Sequence, residues 1–257
     1  MSHLADIRQL LEPLPSISLE EMKGIRLMQR TDTKFVTDIA TLKQLLVLVR
    51  GQYYAQVVEG ERLNPYTTTY FDSCNYEFFR RHQCGARPRT KVRARAYESS
   101  GMCFLEIKRK DNHGKTRKVR TPVPSVKHVL EERAGESFLR EQSEWDFDHL
   151  HPTLSNCFRR LTLVNLGKTE RLTIDFELSF YNHDSATSHK MDEAVIIELK
   201  RDGRVPSPIL PLLRQLRIKP AGFSKYCVGI ATTDTPVPIN RYKRRLRRVA
   251  KTIHSRT

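Results

Sequence analysis

Residues 89–97, Arg-Thr-Lys-Val-Arg-Ala-Arg-Ala-Tyr, alternate with period two. On a β-strand this places Lys91, Arg93, Arg95 and Tyr97 on one face and Val92, Ala94 and Ala96 on the other. Cations two residues apart on one face repel each other. Such a row persists if it is solvated, or if something strongly anionic sits in front of it.

Other stretches decide between these. Arg30, Asp32 and Lys34 share a parity, as do Glu106, Lys108 and Lys110, then Lys118 and Arg120, then Glu198 and Lys200. Arg160 alternates with Leu161 and Leu163, and Arg171 leads Arg-x-Thr-x-Asp, which ends on Asp175. The opposite parity is apolar in Leu105 and Ile107, in Ile197 and Leu199, and in Val92. One face of each strand therefore packs on helices and the charged face looks inward. The expected architecture is α+β: a closed antiparallel β-barrel of about eight strands decorated by helices. An interior lined with Arg and Lys holds together around a polyanion, and its few carboxylates suit a divalent cation.

Between the strands, residues 2–12 and 18–28 read as short helices parted by Pro13 and Pro15, and Asp38 caps a helix over 39–50. Tyr66–Asp72 reads as a strand, and 103–110 and 115–121 as a hairpin turning at 111–114. A helical insertion spans Ser125 to Arg140; strands resume at 157–165, 171–180 and 194–200, and a helix follows over Pro206–Arg217. Residues 223–231 suit strand or helix equally. Residues 1–240 are expected to form one domain, followed by a basic tail, 241–257, helical or frayed.

The charge is segregated. The chain carries a net +16, of which residues 80–120 hold +11 and residues 241–257 hold +8, leaving the remainder at −3. Two basic devices on a near-neutral scaffold point to polyanions: nucleic acid, phosphorylated ligands or an anionic membrane. The five cysteines are scattered with no C-x-x-C pair, which argues against a disulfide framework or structural zinc. No apolar run spans a bilayer and no signal peptide is evident, so a cytoplasmic location is expected.

Eight motifs occur in order: Arg-x-Asp-x-Lys-Phe, Tyr-Phe-Asp, Lys-Val-Arg-x-Arg-x-Tyr, Phe-Leu-Glu-Ile-Lys-x-Lys, Lys-x-Arg, Arg-Leu-Thr-Ile-Asp, Ile-Ile-Glu-Leu-Lys and Phe-Ser-Lys-Tyr. Together, over roughly residues 25–231, they resemble the VTC domain, the polyphosphate polymerase branch of the triphosphate tunnel metalloenzymes, in a bacterial-type stand-alone form. The resemblance implies an antiparallel β-tunnel that binds a triphosphate inside and a metal through a glutamate. It implies phosphate-binding roles at Lys34, Arg93, Arg95, Lys108, Lys118, Arg160 and Arg171, with Ser224 and Lys225 as a C-terminal contacting pair. It gives Glu198 as the metal-binding glutamate. Arg30, Lys91, Lys110, Arg120 and Lys200 join the phosphate-binding set through their parity. Glu106 is a second metal candidate, or a counter-charge to Lys108 and Lys91. Asp32 stands similarly, and Asp175 reads as a partner of Arg171 or Arg160.

Two positions depart from the family. Its Tyr-x-Arg is here Phe158-Arg159-Arg160, which loses a phosphate hydrogen bond. An arginine of the fungal enzymes is replaced by His82, a weaker and pH-dependent phosphate ligand. The fungal proteins' inositol-phosphate-sensing module and membrane helices are not expected here, nor the regulation and translocation that go with them.

The activity implied is transfer of the γ-phosphate of ATP to a growing inorganic polyphosphate, with Mn²⁺ or Mg²⁺ on Glu198. Alternatives on the same site are a triphosphatase, and a binder of polyphosphate or nucleic acid without turnover. DNA is not an expected partner. An RNA-binding strand would interleave aromatics with its cations for base stacking, and only Tyr97 qualifies. Arg93 and Arg95 should be poorly exposed and face Glu198. His113 sits in a turn, and Trp145 reads as packing. On a helix the tail sets Tyr242, Leu246, Val249 and Ile253 in a stripe beside a basic face. Such a helix suits an anionic membrane surface or polyphosphate leaving the tunnel.

Overall fold

The computed structural model describes residues 3–23 and 30–254, and the side chains of Lys23, Arg30 and His254 lie outside the description. In chain order the elements are α1 (His3–Leu11), β1 (Ser16–Ser18), α2 (Leu19–Lys23), β2 (Arg30–Asp38), α3 (Ile39–Leu48), β3 (Tyr53–Val57), β4 (Asn64–Asp72) and α4 (Glu77–Gln83). Then come β5 (Arg89–Tyr97), β6 (Met102–Lys110), β7 (Thr116–Val123), α5 (Val126–Glu132), α6 (Glu136–Gln142), β8 (His151–Asn165) and β9 (Glu170–Asn182). The chain closes with β10 (Ser188–Met191), β11 (Ala194–Asp202), α7 (Ile209–Gln215), α8 (Lys225–Thr232) and α9 (Asn240–His254).

One large sheet runs β2-β11-β9-β8-β4-β5-β6-β7, antiparallel along this path, with β3, β1 and β10 as side branches. Its two end strands do not pair, so the closed barrel expected from the alternation is replaced by an open, curved sheet. The cause lies at both edges. Pro220 and Ala221 lie along β2, bridging Phe35 and donating to the Lys34 carbonyl, and so take up part of its free edge. On the other side β7 carries Pro122, which has no ladder donor, and the exposed cations Arg117, Lys118 and Arg120. Proline and a row of charge keep an edge strand from pairing. Curvature still brings β2 and β5 towards each other: Lys34 on β2 donates to the Phe223 carbonyl and Lys91 on β5 to the adjacent Ser224 hydroxyl.

The convex face is covered by helices as the parity requires. Phe35, Leu161, Leu163, Leu172, Ile174, Val195, Ile197 and Leu199 share a buried cluster with Ile7 and Leu11 of α1, Leu42 and Leu46 of α3 and Ile209 of α7. Val92, Ala94, Leu105 and Ile107 cluster with Phe78 of α4, Val129 of α5 and Leu139 of α6. Asp38 caps α3 as expected, accepting from the Thr41 amide at 2.7 Å.

The concave face is split. Towards one end it is apolar, with Val36, Leu154, Leu178, Phe180, Ala194 and Ile196 gathered with Cys227, Val228 and Ile230 of α8 and Tyr242, Val249 and Ile253 of α9. Residues 223–231, ambiguous in sequence, are mostly helix: Ser224 caps α8, accepting from the Cys227 amide. This helix can enter the concavity because Gly229 has no side chain. A Cβ there would lie 2.4 Å from Leu154 Cδ2 and 2.6 Å from Phe180 Cδ1. Gly229→Ala should therefore destabilise the protein by about 1–3 kcal/mol through overpacking, read as a lower urea midpoint. An unchanged midpoint would mean that α8 does not seat against β8 and β9 this closely.

Inward-facing parity also changes along β9. Arg171, Thr173 and Asp175 point inward, then Glu177 takes a positive φ of 50° at an irregularity in the β8–β9 register. Beyond it Leu178 and Phe180 join the inner apolar cluster, whereas Phe176 belongs to the outer one. The bulge thus divides a polar half from an apolar half on a single strand.

Candidate functional site

The polar half of the concavity gathers the charged parities of β2, β5, β6, β7, β8, β9 and β11. Arg95 is buried at 7% exposure and Arg93 retains 20% on its side chain. Arg93 reaches Glu106 through Nε at 2.7 Å and Nη2 at 2.6 Å, and Lys118 donates to the other oxygen of Glu106 at 2.5 Å. Burial opposes ionisation of Glu106, but Arg93, Arg95 and Lys118 overcome it and hold its pKa down at about 2. Its carboxylate is a counter-charge with both oxygens engaged.

A second carboxylate organises the opposite wall. Asp175, 4% exposed, accepts from Arg160 Nε at 2.6 Å and Nη2 at 2.8 Å, and from Lys225 Nζ. Against burial, Arg160 and Lys225 hold it well below the usual carboxylate range. The same two cations lie over the Phe158 ring, Lys225 Nζ at 4.1 Å and Arg160 at 5.3 Å from its centroid, with Arg95 at 6.0 Å. Phe158 in turn stacks on Tyr66 at 5.2 Å. The Phe158 ring is thus a platform for three cations.

Two lysines tie the walls to the entrance of α8. Lys91 Nζ donates to Ser224 Oγ at 3.0 Å, and Lys34 Nζ to the Phe223 carbonyl at 3.0 Å. Tyr226 donates to Asp72, which also caps α4 through the amides of Phe78 and Phe79. Phe-Ser-Lys-Tyr and Tyr-Phe-Asp, far apart in sequence, thus meet at one buried carboxylate.

Glu198 is a quarter exposed, with Lys200 Nζ at 3.6 Å. Burial opposes its ionisation, but Lys200, Lys34 and Arg160 hold its pKa below the ordinary value. Of these cations Lys200 is on β11, Lys34 on β2 and Arg160 on β8. Lys108 and Arg120 are exposed near the open edge, and Arg120 lies 4.3 Å over the Phe104 ring. Lys110 and Arg171 are half-buried on their inward parities and Asp32 is exposed. Arg30 begins β2 and its side chain lies outside the described residues.

His82 requires a correction. It sits on α4 with Nδ1 buried and without a hydrogen-bond partner among the described residues. Burial first, then the charges of Lys91, Arg89, Arg245 and Lys34, push its pKa down to about 2. It is neutral throughout the neutral range and does not act there as the pH-dependent cation expected from sequence.

Sequence reasoning passed over β4. Thr68 accepts from Arg95 Nε at 3.1 Å, and Tyr70 stacks on Tyr226 at 5.1 Å. Burial opposes ionisation of Tyr70, yet Arg93, Arg95 and Lys225 bring its phenol below the ordinary range, which marks a strongly positive interior. The signal was present: Tyr66, Thr68, Tyr70 and Asp72 share one parity in Tyr-Thr-Thr-Thr-Tyr-Phe-Asp.

The excess charge has a pH signature. Burial, reinforced by neighbouring Lys34, Arg93 and Lys108, lowers Lys91 to about 7, and burial with Arg160 lowers Lys225 to about 8. In the empty protein these lysines release protons as pH rises from 7, whereas the unfolded chain keeps them to about 10.4. The unfolded state then binds more protons, so empty-protein stability should rise with pH across this window. A phosphate chain bound beside these lysines would reverse the shift. Triphosphate binding at pH 8 should take up roughly one proton, measurable by calorimetry in buffers of different ionisation enthalpy. Binding without proton uptake would mean that neither lysine meets the ligand.

Among the described residues no three His, Cys, Asp or Glu side chains converge to hold a metal by themselves. Glu198, ionised and partly accessible, suits one carboxylate ligand of Mg²⁺ or Mn²⁺ whose other positions are phosphate oxygens and water. Glu106, engaged by Arg93 and Lys118, has less to offer. Among the described residues no helix is long and apolar enough to cross a membrane.

Residues 29–234 match the family model described as the VTC domain. In fold the chain is similar to a putative adenylate cyclase from Bacillus halodurans, at TM-score 0.51 and 15% identity, over 84% of this chain and 100% of that one. It is also similar to a putative adenylyl cyclase from Hippeastrum described as having a dominant triphosphatase activity, at TM-score 0.51 and 15% identity, over 81% of this chain and 98% of that one. No curated protein sequence matches the chain.

Proposed function

The chain belongs to the VTC domain family, and from that premise we propose that it is a triphosphate-tunnel-type phosphotransferase that extends polyphosphate from ATP. The observation that carries this reading is the concave face itself. Cations on the inward parities of seven strands and at the head of α8 line it and outnumber the carboxylates Glu106, Asp175, Glu198 and Asp32 on the same parities. Repeating phosphates are the ligand that such a surface neutralises.

Phosphoryl transfer asks the protein for alignment and charge neutralisation rather than for covalent chemistry. Arg93, Arg95 and Arg160, held by Glu106, Thr68 and Asp175, present guanidinium forks to phosphate oxygens. Lys34, Lys91, Lys108, Lys118, Lys200 and Lys225 act as point charges along the chain, with Ser224 donating a hydroxyl. Arg171, Lys110 and Arg120 extend the contacts towards the rim, and Arg30 joins the set by its parity in the sequence alone. The terminal phosphate of the acceptor is already anionic and needs no base: its oxygen bonds to the γ-phosphorus as the bond to the ADP β-oxygen breaks. A divalent cation bound through Glu198 would supply further neutralisation of the transferred phosphoryl charge.

If water takes the place of the acceptor, the same site is a triphosphatase, a reading favoured by the activity described for the Hippeastrum protein. Incubation with ATP and Mn²⁺ or Mg²⁺, with products resolved by gel, separates the two. Long phosphate chains are expected, lost in Glu198→Ala; orthophosphate alone assigns hydrolysis. Tight binding of phosphate chains without turnover in either metal would sink both.

A further inference from the structure

The fifteen residues of α9 carry a surface that the concave site does not explain. Tyr242, Val249 and Ile253 are buried in the core with Leu246 packed beside them, so the apolar stripe is committed within this protein. The remaining arc holds Arg241, Lys243, Arg244, Arg245, Arg247, Arg248 and Lys251, all exposed. None forms an ion pair among the described residues, and the helix contains no acid. Cations at i, i+3 and i+4 repel one another, so the row opposes the helix that packing holds in place.

This surface adjoins the site. The Pro238 carbonyl, just before α9, accepts from Gln83 of α4 at 2.9 Å, and α9 packs on α8, whose cap Ser224 receives Lys91. Arg245 lies 5.4 Å over the Tyr242 ring, and its charge falls on His82 together with those of Lys91, Arg89 and Lys34. Positive groups therefore lead from Lys91 inside the concavity, by Arg89, to Arg245 and the outer face of α9.

We propose that the basic face of α9 is a second binding surface for the phosphate chain, taking the part of a long polyphosphate that extends beyond the concave site at its Lys91 end. The inference rests on the phosphate-chain reading of that site. Continuity with the cations of the concavity favours this occupant. A lipid surface would lose the apolar insertion that such helices use, since that stripe is buried. A nucleic acid would find no exposed aromatic on the helix for stacking.

The test substitutes Arg244, Arg247, Arg248 and Lys251 together by glutamine and compares tripolyphosphate with long-chain polyphosphate by calorimetry at two salt concentrations. Tripolyphosphate affinity should be unchanged and long-chain affinity should fall roughly tenfold, with a shallower salt dependence. The melting point should hold or rise, because like charges are removed. If four changes unfold the protein, Arg247→Gln with Arg248→Gln should show the same selective loss at smaller size. Unaltered long-chain affinity in a folded variant overturns the inference alone. Failure of the unaltered protein to bind tripolyphosphate overturns the site reading and this inference with it. Sedimentation with phosphatidylserine vesicles that the substitutions abolish, while long-chain affinity stands, reassigns the surface to lipid headgroups.

Discussion

Asp175→Ala should destabilise the protein by about 3–5 kcal/mol, the usual effect of removing one partner from a buried ion cluster, and remove phosphate-chain turnover with it. Asp175 accepts hydrogen bonds from both Arg160 and Lys225. Without it two buried cations face each other beneath Phe158. Denaturant unfolding gives the size of the loss, and two additions show its origin. Tripolyphosphate should raise the melting point of the variant more than that of the unaltered protein, because the ligand supplies the missing anions. Arg160→Met on top of Asp175→Ala should restore part of the stability and none of the turnover. A loss below about 1 kcal/mol would place the cluster among solvated surface pairs.

Arg95→Met should do the opposite. Arg95 is nearly as buried, but its hydrogen bond is to the neutral Thr68 hydroxyl. Burial and the charges of Arg93 and Arg160 lower its pKa, so the empty protein carries this guanidinium as a liability. Methionine keeps much of the volume, and replacing a buried charge by an apolar side chain is often neutral or stabilising. Stability should hold or rise while kcat/KM falls by about 10²–10³, the usual effect of losing one preorganised charge donor. Equal falls in stability and turnover would make Arg95 a structural group.

The contrast between these residues explains what the chain discloses on reading. Charge parity on a strand is a period-two signal, and it is loud when the residues are Arg and Lys. Lys91, Arg93, Arg95, Glu106, Lys108 and Lys118 are therefore assigned to the charged parity by sequence alone. Which carboxylate serves which cation was less legible. Glu106 lies opposite Arg93 in the ladder, but Lys225 comes to Asp175 from a helix fifty positions away, and no local pattern announces it.

The closed barrel failed for a related reason. Closure depends on whether two distant edges find each other, and the edge of β2 is taken up in part by Pro220 and Ala221, which carry no strand signal of their own. The bulge at Glu177 is similarly silent, although it decides that Phe180 turns inward. For residues 223–231 the deciding facts were the Ser224 cap and the fit of Gly229 between Leu154 and Phe180, one local and one tertiary. His82 was read as a titrating ligand because its low pKa comes from burial first, then from Lys91 and Arg89 of β5, Arg245 of α9 and Lys34 of β2, none of them on its own helix.

If the concavity holds a phosphate chain as proposed, the unjoined edges of β2 and β7 would also set how that polymer reaches the cations. A closed ring admits a long chain only by threading one free end, so that each chain must be found by its terminus. A concavity with an open side can take hold of a chain laterally, at any internal phosphate, and let its end arrive afterwards. Capture would then scale with the number of phosphates in solution rather than with the number of chains.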